Sequence, residues 1–545
     1  MDLKEIRETD VWTLYERGVR YCRLMGVFDD TDRNYRMYNG DQWYGLKVQG
    51  VEKVQYNFIK PIVRYKTGIV LTNLYAIVYS PGFSADRTPE SEQLCTLLSR
   101  KAADIWERDS MDMKLRAAVK DAAINDEGII YVTADPTTGL PVNELLNKTD
   151  IFYGNENDPD LQSQPYILIK QRKPVTEVRR MAENLGVEPV ELQYIVGDGC
   201  VTEEAGEAAK FEADDMCTLV TKLWKEGGTV RFSQATRYVE IKTDADSGLT
   251  LYPVAHVLWE EKKGSARGEG EVRHLIPNQL ETNKTAMRRA VTVKNTAYPQ
   301  KVANMDKIAN PAALDTVGGT VKVRGGASVD DVAKVFAHIS PAQMSADVER
   351  LQHELIQSTR ELAGAGEVVT GGVNPENASG RAILAVQQAA MQPLNEHLLY
   401  VKGFIEDLAR IWLDVLLTYN ESIELDVWQS DPVTGERIRV LRAVPRGELR
   451  ALQTSVRVEI TPKGAFDKFA EEQSMENLLT AGLFSAARMP ELRLYAKALD
   501  DDSIMPKRKL MAVIEAWEEE QKKVAEIHAK AQALAQKAQR ALSAQ

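Results

Sequence analysis

The sequence is poor in the residues that site chemistry most often needs. Of its 545 residues, 4 are cysteine and 6 are histidine. Cys22, Cys95, Cys200 and Cys217 form no CxxC pair and suit a reducing compartment with no disulfide framework. A positive balance is also missing. The 68 lysines and arginines stand against 80 acidic residues, for a formal net charge of −12. A protein that grips phosphates over a broad surface is usually basic, so any nucleic-acid contact must be local or must avoid grip. No apolar run reaches membrane length. The opening "MDLKEIRETDVWTLYERG" is charged throughout and does not read as a signal peptide, so a cytosolic origin is expected. What is present is an ordinary globular balance, 44% hydrophobic and 27% charged, enough for two or more cores.

The pattern along the chain predicts an α+β protein. "VWTLYERGVRYCRLM" has helical spacing, and "IVLTNLYAIVYS" is partly alternating. The stretch from Pro89 reads as two helices closed by Gly128. "IIYVTADPTTGLPV" reads as strand, turn and strand, with Asp135 to Gly139 as the turn. "YILIKQRKPV" predicts a strand, and "PVTEVRRMAENLGV" a helix with a glycine stop. "CTLVTKLWKEGGTVRFSQATRYVEIKT" predicts a hairpin turning at "EGG", and "LTLYPVAHVLWEE" a further strand.

After Gly270 the character changes. A helix is expected from about Ile276 to Ala297, with Pro277 tolerated in its first turn. Tyr298 to Ile339 reads as short strands and glycine turns, including "GGTVKVRGG". A second helix follows, with Ser340 as N-cap, Pro341 at N1 and Gly364 as the stop. Each helix should be about 30–35 Å long. Two matched helices joined by a compact β-rich tip make an antiparallel arm, an unusual layout for a small-molecule enzyme. Beyond the loop "GAGEVVTGGVNPENASGRA", Ser379 to Tyr419 reads as a long helix kinked at Pro393. "DVWQSDPVTGERIRVLRAV" predicts a hairpin and "SVRVEI" a strand, and the chain from Phe466 reads as helical. No repeat of fixed period is visible.

Tests for chemistry come out thin. The loop lacks the Lys-Ser/Thr pair of a phosphate-binding loop, and its charges before the helix are Glu367 and Glu376. A GxGxxG reading fails at Val369. "HELIQ" at His353 lacks the second histidine of a zinc helix, because Gln357 stands there. "DADSG" at Asp244 lacks the closing glutamate of a calcium loop, which is Ala255 here. "NENDPD", Asn155 to Asp160, is oxygen-rich without a full ligand set. His397 reads as packed or surface rather than as a base. No Gly-x-Ser-x-Gly elbow or nucleophilic cysteine signature occurs. No catalytic residue, metal or cofactor is therefore expected. Basic residues gather on the arm and its tip, where they can form a solvated face or meet an acidic partner or passing DNA.

Several phrases, taken in order, carry a resemblance. They are "RNYRMYNGDQW", "VQYNFIKPIVRYKTGIVL", "DIFYGNENDPDLQSQPYILIKQR" and "YPVAHVLWEEKKGSARGEGEVRHLIPNQLETNKTA". In this series the chain resembles the portal proteins of tailed bacteriophages. The resemblance implies a dodecameric ring of this chain at one capsid vertex, threaded by double-stranded DNA during packaging and ejection. It implies a wing of residues 1–270, stem helices 271–297 and 340–363, and a clip at 298–339. A tunnel loop at 364–378 would follow, then a long kinked helix with more wing at 379–465, and a helical crown at 466–545. The tunnel-loop residues would be Gly364, Gly366, Glu367, Val368, Val369, Thr370, Gly371, Gly372, Val373 and Asn374. Lys284, Arg288, Arg289 and Lys294 become candidate stem cations facing the channel. Lys301, Lys307, Lys322 and Arg324 become candidate clip contacts for the terminase large subunit or head-completion proteins. Capsid and scaffolding proteins are the other implied partners, with no membrane. An acidic subunit with a lysine-free loop suits a conduit through which DNA must slide. The competing readings are another ring-forming virion adaptor, for which the chain is long, and a hydrolase or motor subunit, for which the motifs are missing.

Overall fold

A computed structural model describes residues 7–47, 52–82, 88–198, 215–297, 301–314, 320–325, 336–338, 346–364, 392–430, 437–452 and 454–461. The chain divides into two units, Met1–Leu71 with Ala76–Glu459, and Thr72–Tyr75 with Ile460–Gln545. Nearly all of the second unit, including the expected crown, lies outside the described residues. The first unit is mixed helix and sheet, as the pattern predicts.

Its largest sheet has five antiparallel strands in chain order: Ile151–Tyr153, Ile167–Pro174, Met216–Glu226, Thr229–Ala235 and Glu240–Asp246. Strand alternation gives the sheet two apolar faces. On one, Phe152, Leu168 and Val220 meet Val11, Trp12 and Tyr15 of the helix Asp10–Leu24. On the other, Cys217, Leu219 and Ile241 meet Val175, Val178 and Ala182 of the helix Val175–Asn184. The hairpin turns at Gly227 and Gly228, φ +64° and +89°, the left-handed pair that a two-residue turn matching strand twist requires.

A three-stranded sheet places Glu127–Ala134 between Pro141–Leu146 and Val254–Leu258. Its hairpin closes as predicted, with the Gly139 amide donating to Asp135 O at 2.8 Å. The helices Pro89–Arg108 and Met111–Asn125 precede it, and here the glycine reading needs correction. The second helix ends at Asn125, with Asp126 at φ +80°. Gly128 is already in the strand, where a Cβ would stand 1.9 Å from Ala118 O. Its lack of a side chain lets strand and helix backbones touch, rather than stopping the helix.

The helix Asn395–Tyr419 brings the C-terminal part of the unit back onto this sheet. Val401, Phe404, Ile405, Leu408, Trp412 and Val415 are buried at helical spacing. Trp412 Nε1 donates to Asn143 Oδ1 at 2.8 Å, and Asp414 accepts from the Thr250 and Leu251 amides. Pro393 sits in a 3-10 turn, Gln392–Leu394, just before this helix. The helical run expected upstream of it falls outside the described residues. Ser422–Ser430 and Arg437–Pro445 form the predicted hairpin, and Ser455–Thr461 is the expected strand.

Candidate functional site: the root and tip of a helical arm

The segment after Gly270 forms the predicted arm. Its first helix, Glu271–Ala297, has 27 residues and spans about 40 Å. It begins five residues before the expected start, so Pro277 lies inside it rather than in its first turn. A proline there deprives the Arg273 carbonyl of its helical partner. The second helix is described from Ala346 to Leu362, and the Ser340 and Pro341 cap falls outside the described residues. Gly364, at φ +68°, supplies the expected stop. Asn278 Nδ2 donates to Thr359 Oγ1 at 3.0 Å, pairing the start of one helix with the end of the other. At the far end Lys301–Ala303 pairs antiparallel with Phe336–His338. These two contacts make the helices antiparallel.

The root of the arm is held by buried polar groups. Gln279 and Asn283 are fully buried one helical turn apart. Gln279 Oε1 accepts from the Phe58 amide at 3.0 Å, and its Nε2 donates to Tyr56 O at 2.7 Å. Asn283 Oδ1 accepts from the Tyr56 amide, and its Nδ2 donates to Gln42 Oε1 at 2.6 Å. Asn57 Nδ2 donates to Tyr38 O at 3.0 Å. An irregular segment therefore has its backbone satisfied by helix side chains, as a strand's would be by a neighbouring strand. The phrases "YNGDQW", "YNFIKP" and "NQLETN" meet at this junction.

Ions complete the root. Lys66 Nζ donates to Glu271 Oε2 at 2.7 Å, in the arm's first turn, and Trp259 Nε1 donates to the same carboxylate. His397 stacks on Trp259 with centroids 4.2 Å apart, and its Nδ1 bonds to Trp259 O. At 6% exposed it is packed rather than a surface residue, the two readings the sequence left open, and burial lowers its pKa. Asp126 accepts from the Gly270 amide and pairs with Lys148. Arg267 is buried between Glu127 and Glu156 and also donates to Ile151 O at 3.0 Å. Burial disfavours its charge, yet the two carboxylates hold its pKa well above the usual value. Sequence reasoning missed Arg267, Gln279 and Asn283. The available signal was Gln, Thr and Asn on the face of the arm helix that would ordinarily carry apolar residues.

The candidate metal stretches are occupied by local bonding. In "NENDPD", Asn155 and Asp158 accept amides two residues on, and Glu156 holds Arg267. Asp244 pairs with Arg231 at 2.5 Å, and exposed His353 neighbours Glu354, which pairs with Arg350. Among the described residues no group of three or more His, Cys, Asp or Glu is placed to hold a metal.

The predicted site residues separate into three groups. Lys284, Arg288, Arg289 and Lys294 are all exposed on the first arm helix. Lys284 and Arg288 share a face, and both reach Glu281, at 3.5 and 3.4 Å. Helical spacing puts Arg289 and Lys294 on other faces, so the four form no single row. At the tip, the bridge Ile308–Val323 sets exposed Lys307 beside exposed Arg324, and Lys322 follows two residues before it. The Arg324 amide donates to Lys307 O at 2.7 Å. Lys301 is in the tip strand pair. Gly366, Glu367, Val368, Val369, Thr370, Gly371, Gly372, Val373 and Asn374 lie outside the described residues, and of that loop Gly364 alone is described.

Fold and site together define a body-and-arm protein whose buried ions and amides hold segments of the chain to one another. Residues 28–545 match the family of phage P22-like portal proteins. The chain belongs to that family, whose members are structural proteins of the virion assembled as capsid-associated rings. Among solved structures, one chain of the virion of a native gene transfer agent particle aligns over 80% of this chain and 88% of its own. It does so at 10% identity with a TM-score of 0.36. No curated protein matches. No helix among the described residues is long and apolar enough to cross a membrane.

Proposed function

We propose that twelve copies of this chain form a ring at one capsid vertex, and that double-stranded DNA passes through its channel during packaging and ejection. The observation that carries this reading is the antiparallel arm, rooted in the body by Gln279 and Asn283 and closed at its tip by a strand pair. In this reading the body is the wing, the two arm helices are the stem, and the tip is the clip. Lys301, Lys307, Lys322 and Arg324 offer the clip's positive contacts to the terminase large subunit and later to head-completion proteins. Lys284, Arg288, Arg289 and Lys294 supply positive belts on the stem. The loop 364–378 projects into the channel, and residues 466–545 form the crown. Capsid and scaffolding proteins meet the wing, and assembly takes place in the host cytoplasm.

The physical logic is one of weak grip. Each phosphate neutralised by a lysine or arginine adds to salt-dependent affinity, and affinity resists sliding. A subunit of net charge −12 with a lysine-free loop keeps the backbone moving. Deleting Gly366 to Val373 tests the reading, because nothing in that stretch has the apolar periodicity of a core element. The ring should still assemble, while packaging or retention of DNA falls. A deletion that abolishes the ring itself makes the loop structural and removes the channel role.

A further inference from the structure

The arm buries mostly polar side chains and small alanines between its helices. The second helix turns Gln352 and Thr359, 8% and 2% exposed, toward the first helix, where Thr282 and Thr285 are also buried. Its leucines face elsewhere. Leu351 and Leu362 are 57% and 85% exposed, and with half-buried Leu355 they fall on one flank at helical spacing. Leucines displayed while amides and hydroxyls are buried mean that the helix has a second partner still to cover.

Charge says which partner. From Asn278 to Ala297 the first helix carries Lys284, Arg288, Arg289 and Lys294 against the single acid Glu281. The second helix carries Asp347, Glu349, Glu354 and Glu361 against Arg350 and Arg360. One arm thus has a basic helix and an acidic one. Their charged pairs are exposed and mostly within a helix, such as Arg350–Glu354 and Arg288–Glu281, so they can exchange partners at little cost. Height agrees. Counting equal steps from the Asn278–Thr359 contact sets Leu351 level with Ala286, between Lys284 and Arg288, and Glu354 level with Asn283, next to Lys284. In a ring generated by one rotation axis every copy sits at the same height, and each contact joins two unlike faces.

We propose that the leucine flank of the second arm helix docks the basic first arm helix of a second copy of this chain. Leu351 then lies against the aliphatic stems of Lys284 and Arg288, and their charged heads reach Glu354 of that leucine-bearing helix. This rests on the ring reading, and it moves Lys284 and Arg288 from the channel lining to the contact between copies.

The test uses the full-length protein, with native mass spectrometry and electron microscopy across a concentration series. Wild type should form rings. The double variant Leu351→Glu, Leu362→Glu should need at least tenfold more protein for half-assembly, with an unchanged circular dichroism spectrum. Leu24→Glu, at a leucine about as exposed as Leu362 on the Asp10–Leu24 helix, should assemble as wild type does. Glu354→Lys alone should weaken assembly, and adding Lys284→Glu to the same chain should restore it. If both leucine substitutions leave the concentration dependence of wild-type rings unchanged, the docking surface is wrong and the ring reading stands. Failure of Lys284→Glu to rescue Glu354→Lys also overturns it. If wild type itself forms no ring, the ring reading falls and takes this inference with it.

Discussion

Replacing Gln279 by alanine tests the root of the arm most sharply. The side chain is fully buried and serves three partners: the Phe58 amide at 3.0 Å, Tyr56 O at 2.7 Å and Asn283 Oδ1 at 3.0 Å. Alanine leaves the Phe58 amide and the Tyr56 carbonyl without that partner in a buried junction, at about 1–3 kcal/mol each. The lost side-chain volume adds a cavity cost, since such a site collapses only in part. The local loss should be about 3 kcal/mol or more, which is about two orders of magnitude in an opening equilibrium. Hydrogen exchange read by mass spectrometry isolates the junction, because local opening is measured without assuming that a chain of this size unfolds in one step. The peptide spanning Tyr56 to Phe58 should lose about a hundredfold in protection, while the five-stranded sheet keeps its own. Gln279→Met, closer in volume, should lose nearly as much, because the orphaned backbone groups remain. Protection within threefold of wild type in both variants would refute the claim that these amides anchor the arm.

Three further outcomes follow from the same geometry. Arg267→Met should destabilise the body by about 3–5 kcal/mol, since it leaves Glu127 as a buried charge and half-buried Glu156 without their shared cation; thermal unfolding measures it. Gly128→Ala should cost about 3 kcal/mol or more, or fail to fold, because the new Cβ would overlap Ala118 O; soluble yield and melting temperature report it, and a near-wild-type melt contradicts the close approach. His256 is half-buried with its Nδ1 shut off from solvent, and this burial followed by the nearby Arg267 lowers its pKa to about 4 from 6.5. The unfolded chain therefore takes up a proton first as pH falls. His256 contributes stability that is present above pH 6.5 and is lost toward pH 4, about 3 kcal/mol in all. His256→Gln should flatten stability against pH in that window, and an unchanged slope would contradict the assignment.

Periodicity and turn chemistry made much of the body legible in the sequence. The Asp135–Gly139 turn, the "EGG" hairpin and the helix Val175–Asn184 are each set by residues adjacent in the chain. What escaped depends on residues that meet only in space. Gly128 looks like a helix stop until Ala118 is seen against it. Pro277 looks like a first-turn residue because nothing local shows that Lys66 and Trp259 hold Glu271 in a helix begun earlier. Arg267 sits in a stretch, "KKGSARGEGE", that reads as a polar loop, and its carboxylate partners are more than a hundred residues away. The arm was visible as two matched helices, but not that Gln279 and Asn283 would root it. Three of the four phrases that carried the family resemblance do meet at that root. They share one hydrogen-bonded junction, which gives a physical reason for their residue choices.

The ring is the central claim, and imaging the purified full-length protein tests it most directly. Electron microscopy with class averaging, under conditions that permit assembly, should show closed rings of twelve copies around an open channel. Each copy should send a two-helix arm toward one end of the ring. A protein that stays monomeric at every concentration, or assembles without a central channel, would contradict the account.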